Sequence, residues 1–422
     1  MSLACGAFAA RALLAHAPAR LAPDRAQPLV VATAWGSYGA LHLLVLVAAL
    51  ALAAIPYLAI LRSREPPTLR GTLIASALTL AAGAAWLPLF SSDVYAYAAY
   101  GEMARIGLDP YLHAAVSQNP AIAAAQWQWG GSLPICVYGS AFVALARGVM
   151  TLLAAAPLVV RLDALRAVAA LAFLACGALL YALRDGDARA KRSAAFAFAC
   201  NPALVWVALE GHNDALMLAV VLTGALLARR RTSAGIALAA LGALVKAPAL
   251  AAAAALAMQR IVTRDRALAA IVGLALGVAV VCAGSLALVH GVRADLAPHG
   301  HYAPSVSVQA LSPYLAALAA LAVIARLRAF DAPLDRWCVG ALALWLAIPN
   351  PYPWYALWIV PIAVLGSDPR VLAATLAVGA VALLRYLPDA AVTPGPLAAA
   401  LLGALALAAY APLFTRAIIS RS

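Results

Sequence analysis

Apolar runs of roughly membrane-crossing length recur along the whole chain, and short basic clusters separate them. A spanning helix needs about 20 apolar residues, fewer where part of it is enclosed by protein. Such runs occupy residues 41–61, 71–90, 165–183, 194–209, 215–228, 267–290, 311–327, 337–348, 355–365, 371–387 and 397–414. Of the 422 residues 66% are hydrophobic and 11% are charged, whereas a soluble domain carries about a quarter charged residues. So much apolar surface cannot be hidden in one soluble core. The residue-by-residue alternation of an outer-membrane barrel is absent, which leaves helices as the spanning element. The expected fold is an all-α polytopic membrane protein, one domain over residues 1–422, with roughly 11–13 membrane segments. A cleaved signal peptide is not expected: the first residues lack a basic start, and Arg11 interrupts their apolar part.

The formal charge of +13 raises the question of a nucleic-acid partner. The basic residues sit at the ends of apolar runs, where they act as topology signals, so no nucleic-acid partner is expected. The six cysteines form no CxxC pair. They read as small core hydrophobes, with no metal or cofactor implied.

The charge pattern orders the runs. Arg62, Arg64 and Arg70 mark a cytoplasmic end after the first run. The second run then delivers residues 91–137, the longest polar segment, to the external face. Arg105 is its single lysine or arginine, as the positive-inside rule requires there. Residues 139–160 contain Arg147 and are expected not to cross. Residues 165–183 then cross back to Arg184, Arg189, Lys191 and Arg192. The stretch 234–258 begins and ends beside arginines and carries Lys246 and Pro248 at its middle. It therefore enters and returns as two short helices broken at Lys246. A second external loop is expected at 291–308. With this threading, the polar residues that are not topology signals collect on the external face.

Ionisable groups at membrane depth are costly and are functional candidates by default. Asp93 follows directly on a spanning run. It can serve as a general base or as the N-cap of the next helix. Tyr97 is an interfacial aromatic or a site residue, and Gly101 permits a turn. Glu102 and Asp109 read as solvated loop acids. His212, Asn213 and Asp214 form a tight turn between helices, suited to helix capping or to sugar hydroxyls. Lys246 must pair with a lipid phosphate or with an internal acid. His299 and His301 in the second external loop offer a further phosphate contact. Trp354 and Tyr355 can stack on a sugar or a prenyl chain, or sit at the interface as plain aromatics.

Four stretches in order carry a resemblance: SDVYAYAAYG with GLDPY (92–111), NPALVWVALEGHNDALM (201–217), VKAPAL (245–250) and PWYALWIVP (353–361). YGS at 138–140 adds to them. The sequence resembles the GT-C superfamily of polyprenyl-phosphate-sugar-dependent glycosyltransferases, and within it the bacterial alpha-1,6-mannopyranosyltransferases of lipoglycan synthesis. It departs from that pattern at Ser140, where the family carries proline, and at Glu102. The resemblance implies a GT-C-like bundle whose long first external loop carries short helices. It implies that Asp93 is the catalytic base and that the His212–Asp214 turn and Lys246 lie near the donor. The partners implied are a polyprenyl-phosphate-linked hexose, a glycan or glycolipid acceptor, and the bilayer. The implied location is a bacterial inner membrane with the site facing the periplasm. Two other classes share the helices and the buried charge: a flippase or transporter of lipid-linked sugars, and a ligase of lipid-linked glycans. A transporter would show a matching broken helix in each half, and a ligase would draw on external arginines.

Overall fold

The computed structural model describes residues 40–84, 91, 93–128, 132–284, 332–347 and 352–383, with side chains in the first helix from residue 52, and a few positions after 403. Apart from one isolated bridge between Ala115 and Leu133, every regular element among them is a helix. The protein is an all-α polytopic membrane protein. Two helices meet the length and apolarity of a full span, α6 (Leu158–Leu183) and α12 (Ala267–Gly284). The pair α7 (Ala188–Ala199) and α8 (Pro202–Leu209), bent by 49°, reaches that length and apolarity when the two helices are taken together. The remaining apolar helices are shorter. The second external loop with His299 and His301, the run 311–327 and most of 397–414 lie outside the described residues.

The basic clusters do converge on one end of the bundle. Arg184, after α6, donates to the carbonyls of Leu365 and Gly366 at 2.7 Å, capping α14 (Ala356–Leu365). Arg229, after α9 (Asp214–Ala228), bonds to Asp185 at 3.1 Å. Arg266, before α12, donates to the Arg230 carbonyl. Asp335, at the start of α13 (Pro333–Ala347), accepts from the Ser367 and Asp368 amides. Asp368 then caps α15 (Pro369–Ala382).

At the opposite end, α6 starts near the ends of α2 (Leu69–Ala84) and α8. There Arg166 reaches the carbonyls of Leu209 at 2.8 Å and Ala84 at 3.4 Å. α5 (Ser140–Leu152) starts at this end, where the Gly139 amide bonds the Val245 carbonyl. The short link to Leu158 returns it to the same end. Residues 139–160 therefore do not reach the basic end, as their interrupting arginine indicated. The stretch around Lys246 forms α10 (Thr232–Leu241), a 3₁₀ turn, and α11 (Ala249–Val262). It leaves the basic end and comes back to it.

Lipid supplies no hydrophobic force between helices, so close backbone approach must hold them. A Cβ on Gly235 would lie 2.2 Å from the Ala228 nitrogen, and one on Gly224 would lie 2.6 Å from the Ala239 nitrogen. These glycines let α9 and α10 touch along their length. Gly273 brings α12 onto α10 at Ser233 in the same way.

Two local expectations are corrected. Gly101 is not at a turn. It lies inside α3 (Asp93–Arg105), where an added Cβ would sit 2.6 Å from the Ala146 backbone of α5, so it permits a helix crossing. Glu102 is not solvated. It is 1% exposed, held by Arg105 at 2.7 Å and Asn119 at 2.7 Å. Asp109 is exposed and accepts from the Tyr111 amide within its own loop.

Candidate active site

At the end opposite the arginines, five separate stretches of chain meet, those carrying Asp93, Tyr138, His212, Lys246 and Trp354. Asp93 opens α3, and its amide donates to Ser91 Oγ at 3.2 Å. The serine thus takes the capping role and leaves the carboxylate for other partners. Asp93 Oδ2 lies 3.3 Å from Tyr97 Oη, one turn along the same helix, and 3.4 Å from Tyr138 Oη. His212 Nδ1 is 3.2 Å from the same oxygen. That distance is within reach of a charge contact, but the ring N–H is not aligned for a hydrogen bond. Among the described residues Oδ1 has no hydrogen-bond partner.

The turn carrying His212 is built by Gly211, whose φ of +85° suits glycine. An added Cβ there would meet Arg166 at 2.9 Å. His212 is fully buried and stacks on Trp354, with centroids 4.4 Å apart. Trp354 stacks in turn on Tyr352 at 4.2 Å. Neither His212 Nε2 nor Asn213 Nδ2 has a hydrogen-bond partner among the described residues. Buried polar atoms without partners are costly, so both are poised for a bound molecule. Asn213 Oδ1 lies 3.2 Å from Tyr97 Oη. The tyrosine has one proton, so it donates either to Asn213 or to Asp93.

Asp214 has the opposite character. Its Oδ2 accepts from Lys246 Nζ at 3.0 Å and its Oδ1 from Trp358 Nε1 at 2.6 Å. Both oxygens are committed, so this carboxylate is structural. Lys246 therefore finds an internal acid, one of the two partners considered for it. Its ammonium also lies 5.6 Å from the Tyr138 ring centroid and 5.7 Å from that of Trp358, within cation–π range. The helix break at residues 242–248 is what brings the lysine to this depth. Tyr138 joins the two halves of the site, since its hydroxyl meets Asp93 and its ring faces Lys246.

α3 lies outside the spanning helices, and its carboxylate titrates low. Burial pushes the Asp93 pKa up. The His212 contact, the His212 and Lys246 charges and the Tyr97 hydroxyl outweigh that, and the net shift is below the ordinary value. Asp93 is thus an ionised, buried carboxylate with one oxygen unpartnered among the described residues, and Tyr138 links it to the Lys246–Asp214 pair. That arrangement suits proton removal from a hydroxyl next to a developing anion.

The structure brings together Asp93, Tyr97, His212, Asn213, Asp214, Lys246 and Trp354. Tyr355 joins through Trp358, 4.5 Å away between centroids, while His301 lies outside the described residues. Sequence reasoning passed over Tyr138, Trp358 and Arg166 as site components. Trp358 lies four residues after Trp354, one helical turn on, and Arg166 is a basic residue inside an apolar helix, so both had a local signal. Glu210, which accepts from the Ser91 amide at 3.0 Å, ties the His212 turn to the entry of α3.

The fold is that of a helical membrane protein, with buried polar side chains gathered at one end of its bundle, and its class follows from a family match. Residues 1–264 match the N-terminal domain of the alpha-(1->6)-mannopyranosyltransferase family, and the chain belongs to that family. Its activity is mannosyl transfer from a sugar donor to a glycan acceptor. No curated protein and no solved structure matched the chain.

Proposed function

We propose that this protein is a GT-C-type enzyme transferring mannose from a polyprenyl-phosphate donor to a glycan or glycolipid acceptor. The reaction takes place at the periplasmic face of a bacterial inner membrane. The observation that carries the reading is the Asp93 carboxylate, ionised and half-committed, beside Lys246 in a site walled by membrane helices. The acceptor hydroxyl oxygen attacks the anomeric carbon while its proton passes to Asp93. The bond from that carbon to the phosphate oxygen breaks, and the electron pair leaves with the polyprenyl phosphate. One displacement inverts configuration, so an α-linked product calls for a β-linked donor. Polyprenyl phosphate is already a good leaving group, so the site needs positive charge more than an acid. Lys246 supplies that charge, held in place by Asp214. His212 Nε2 and Asn213 Nδ2 offer unpartnered polar atoms to sugar hydroxyls, and Trp354 offers a ring face.

A bundle of apolar helices gives a prenyl tail a place to lie, which supports a lipid-linked donor over a soluble sugar nucleotide. The second broken helix, between α7 and α8, revives part of the transporter reading. However, Asn201 caps α8 with its side chain, accepting from the Ala203 amide at 2.9 Å, and no ionised group matches Lys246 there. The test is transfer by membranes containing the protein. Polyprenyl-phosphate mannose, polyprenyl-phosphate glucose and a mannose nucleotide are supplied in turn. The reading expects product from the first alone. Product from the nucleotide in purified protein, with none from the lipid donor, would overturn it.

A further inference from the structure

Asp93 and His212 approach to 3.2 Å, yet their contact is not an aligned hydrogen bond. The two side chains therefore do not fix their own separation; the backbones that carry them do. Those backbones are joined two residues before each side chain. The Ser91 amide donates to Glu210 Oε2 at 3.0 Å, and the Ser91 hydroxyl accepts from the Asp93 amide at 3.2 Å. On the other side of the contact, the Asn213 amide donates to Tyr97 Oη at 3.4 Å.

The Glu210 side of this frame is rigid. Glu210 closes α8, its amide donating to the Trp206 carbonyl at 3.0 Å, and the Gly211 amide donates to the Ala208 carbonyl at 3.1 Å. Arg166 holds the Leu209 carbonyl at 2.8 Å. A Cβ on Gly211 would meet Arg166 at 2.9 Å and Val94, the neighbour of Asp93, at 3.4 Å, so the turn has little room to shift. Glu210 and Ser91 are both buried, which shields their bond from water. A buried carboxylate costs more than a buried amide, but it holds a backbone N–H about twice as strongly. It also lies at the N-terminal end of α3, where negative charge is favoured.

We infer that Glu210 is a positioning residue for the transfer: by holding Ser91 it sets the separation of Asp93 from His212. The inference rests on the reading of Asp93 as the base. The charged and titratable groups facing Asp93 are Tyr97 on its own helix, Tyr138, His212 and Lys246. Arg166 on α6 is turned to backbone carbonyls and to Asp163. Of these groups His212 does most to hold the carboxyl ionised, so a displaced entry to α3 registers in the titration of Asp93.

Two variants separate position from charge. Glu210→Gln keeps an oxygen at the same reach and loses the charge. Glu210→Asp keeps the charge and draws the oxygen back by one methylene. Both are purified, reconstituted and supplied with polyprenyl-phosphate mannose and an alpha-(1->6)-linked mannan oligosaccharide. Glu210→Asp is expected to lower kcat about ten- to a hundredfold, since a misplacement of about 1 Å costs up to about a hundredfold, with KM little changed. Glu210→Gln is expected to retain most of the rate. The reverse order, or equal rates in the two, would overturn the inference. A readout without turnover is the pH dependence of the thermal midpoint, taken as the difference between each protein and the same protein carrying Asp93→Asn. In the unmodified protein that difference is complete above the ordinary carboxylate pKa and is lost as pH falls through the lower, folded one. Glu210→Asp is expected to raise the pH of the loss and Glu210→Gln to leave it in place; an unmoved loss in Glu210→Asp would overturn the inference. Asp93→Asn assayed alongside tells the two failures apart. A near-normal rate in that variant defeats the base, whereas an inactive Asp93→Asn beside a fully active Glu210→Asp defeats the positioning alone.

Discussion

Lys246 and Asp214 are each buried and meet at 3.0 Å, so breaking the pair has a calculable effect. At an effective dielectric constant of about 20 their attraction is about 5 kcal/mol. Desolvation of both charges offsets much of that, so the intact pair contributes little net stability. Removing one partner leaves the other buried and uncompensated, at about 3–5 kcal/mol. Asp214→Asn keeps an acceptor for Trp358 Nε1 and removes only the charge, and Lys246→Met keeps the stem and removes the ammonium. Each single variant is expected to unfold at a clearly lower temperature in detergent micelles, followed by tryptophan fluorescence. The double variant is expected to recover most of the loss, with a coupling of about 2–3 kcal/mol. Additivity of the two singles within about 0.5 kcal/mol would refute the pairing. It would also remove the reason for the helix break that brings the lysine to the site.

Two further outcomes follow from the geometry. Transfer needs Asp93 ionised, and its folded pKa lies below the ordinary carboxylate value. The acid limb of the rate profile is therefore expected below that value, and His212→Gln is expected to move it upward; an unmoved limb contradicts the contact. The stability Asp93 contributes has the same sign: it is complete above the ordinary pKa and is lost as pH falls through the folded one. Gly139→Ala would place a Cβ 2.2 Å from the Leu244 carbonyl group. It is expected to cost about 1–3 kcal/mol and to lower transfer by displacing Tyr138 and Lys246, as thermal midpoint and rate together would show.

The large features of this fold were legible because membrane rules act locally. Arginines at and beside Arg184, Arg229 and Arg266 announced one end of the bundle, at which the described helices around them meet. Lys246 beside Pro248 inside an apolar run announced the broken helix. Asp93, with its tyrosines, stood out as an acid where acids are scarce. What stayed hidden was pairing across long separations. Nothing near Asp214 in sequence indicates that it answers Lys246 and Trp358; Arg105 lies one turn from Glu102 on the same helix, but nothing near Glu102 shows that Asn119 completes its enclosure. Gly101 looked like a turn because the reason for a glycine there, the Ala146 backbone, lies 45 residues away in α5. Arg166 stood as a basic residue one turn after Asp163, which accepts from it at 2.8 Å; its role at the site stayed hidden because its other partners are backbone carbonyls of α2 and α8, which no side-chain pattern reveals.

The central claim is that Asp93 takes the acceptor's proton. Asp93→Asn preserves size and can still accept from Tyr97 and Tyr138, so the site keeps its shape while losing its base. Mannosyl transfer by purified, reconstituted protein is expected to fall at least about a hundredfold, the lower range for a lost general base, with donor binding retained. Near-normal transfer by this variant, with its fold intact, would contradict the account.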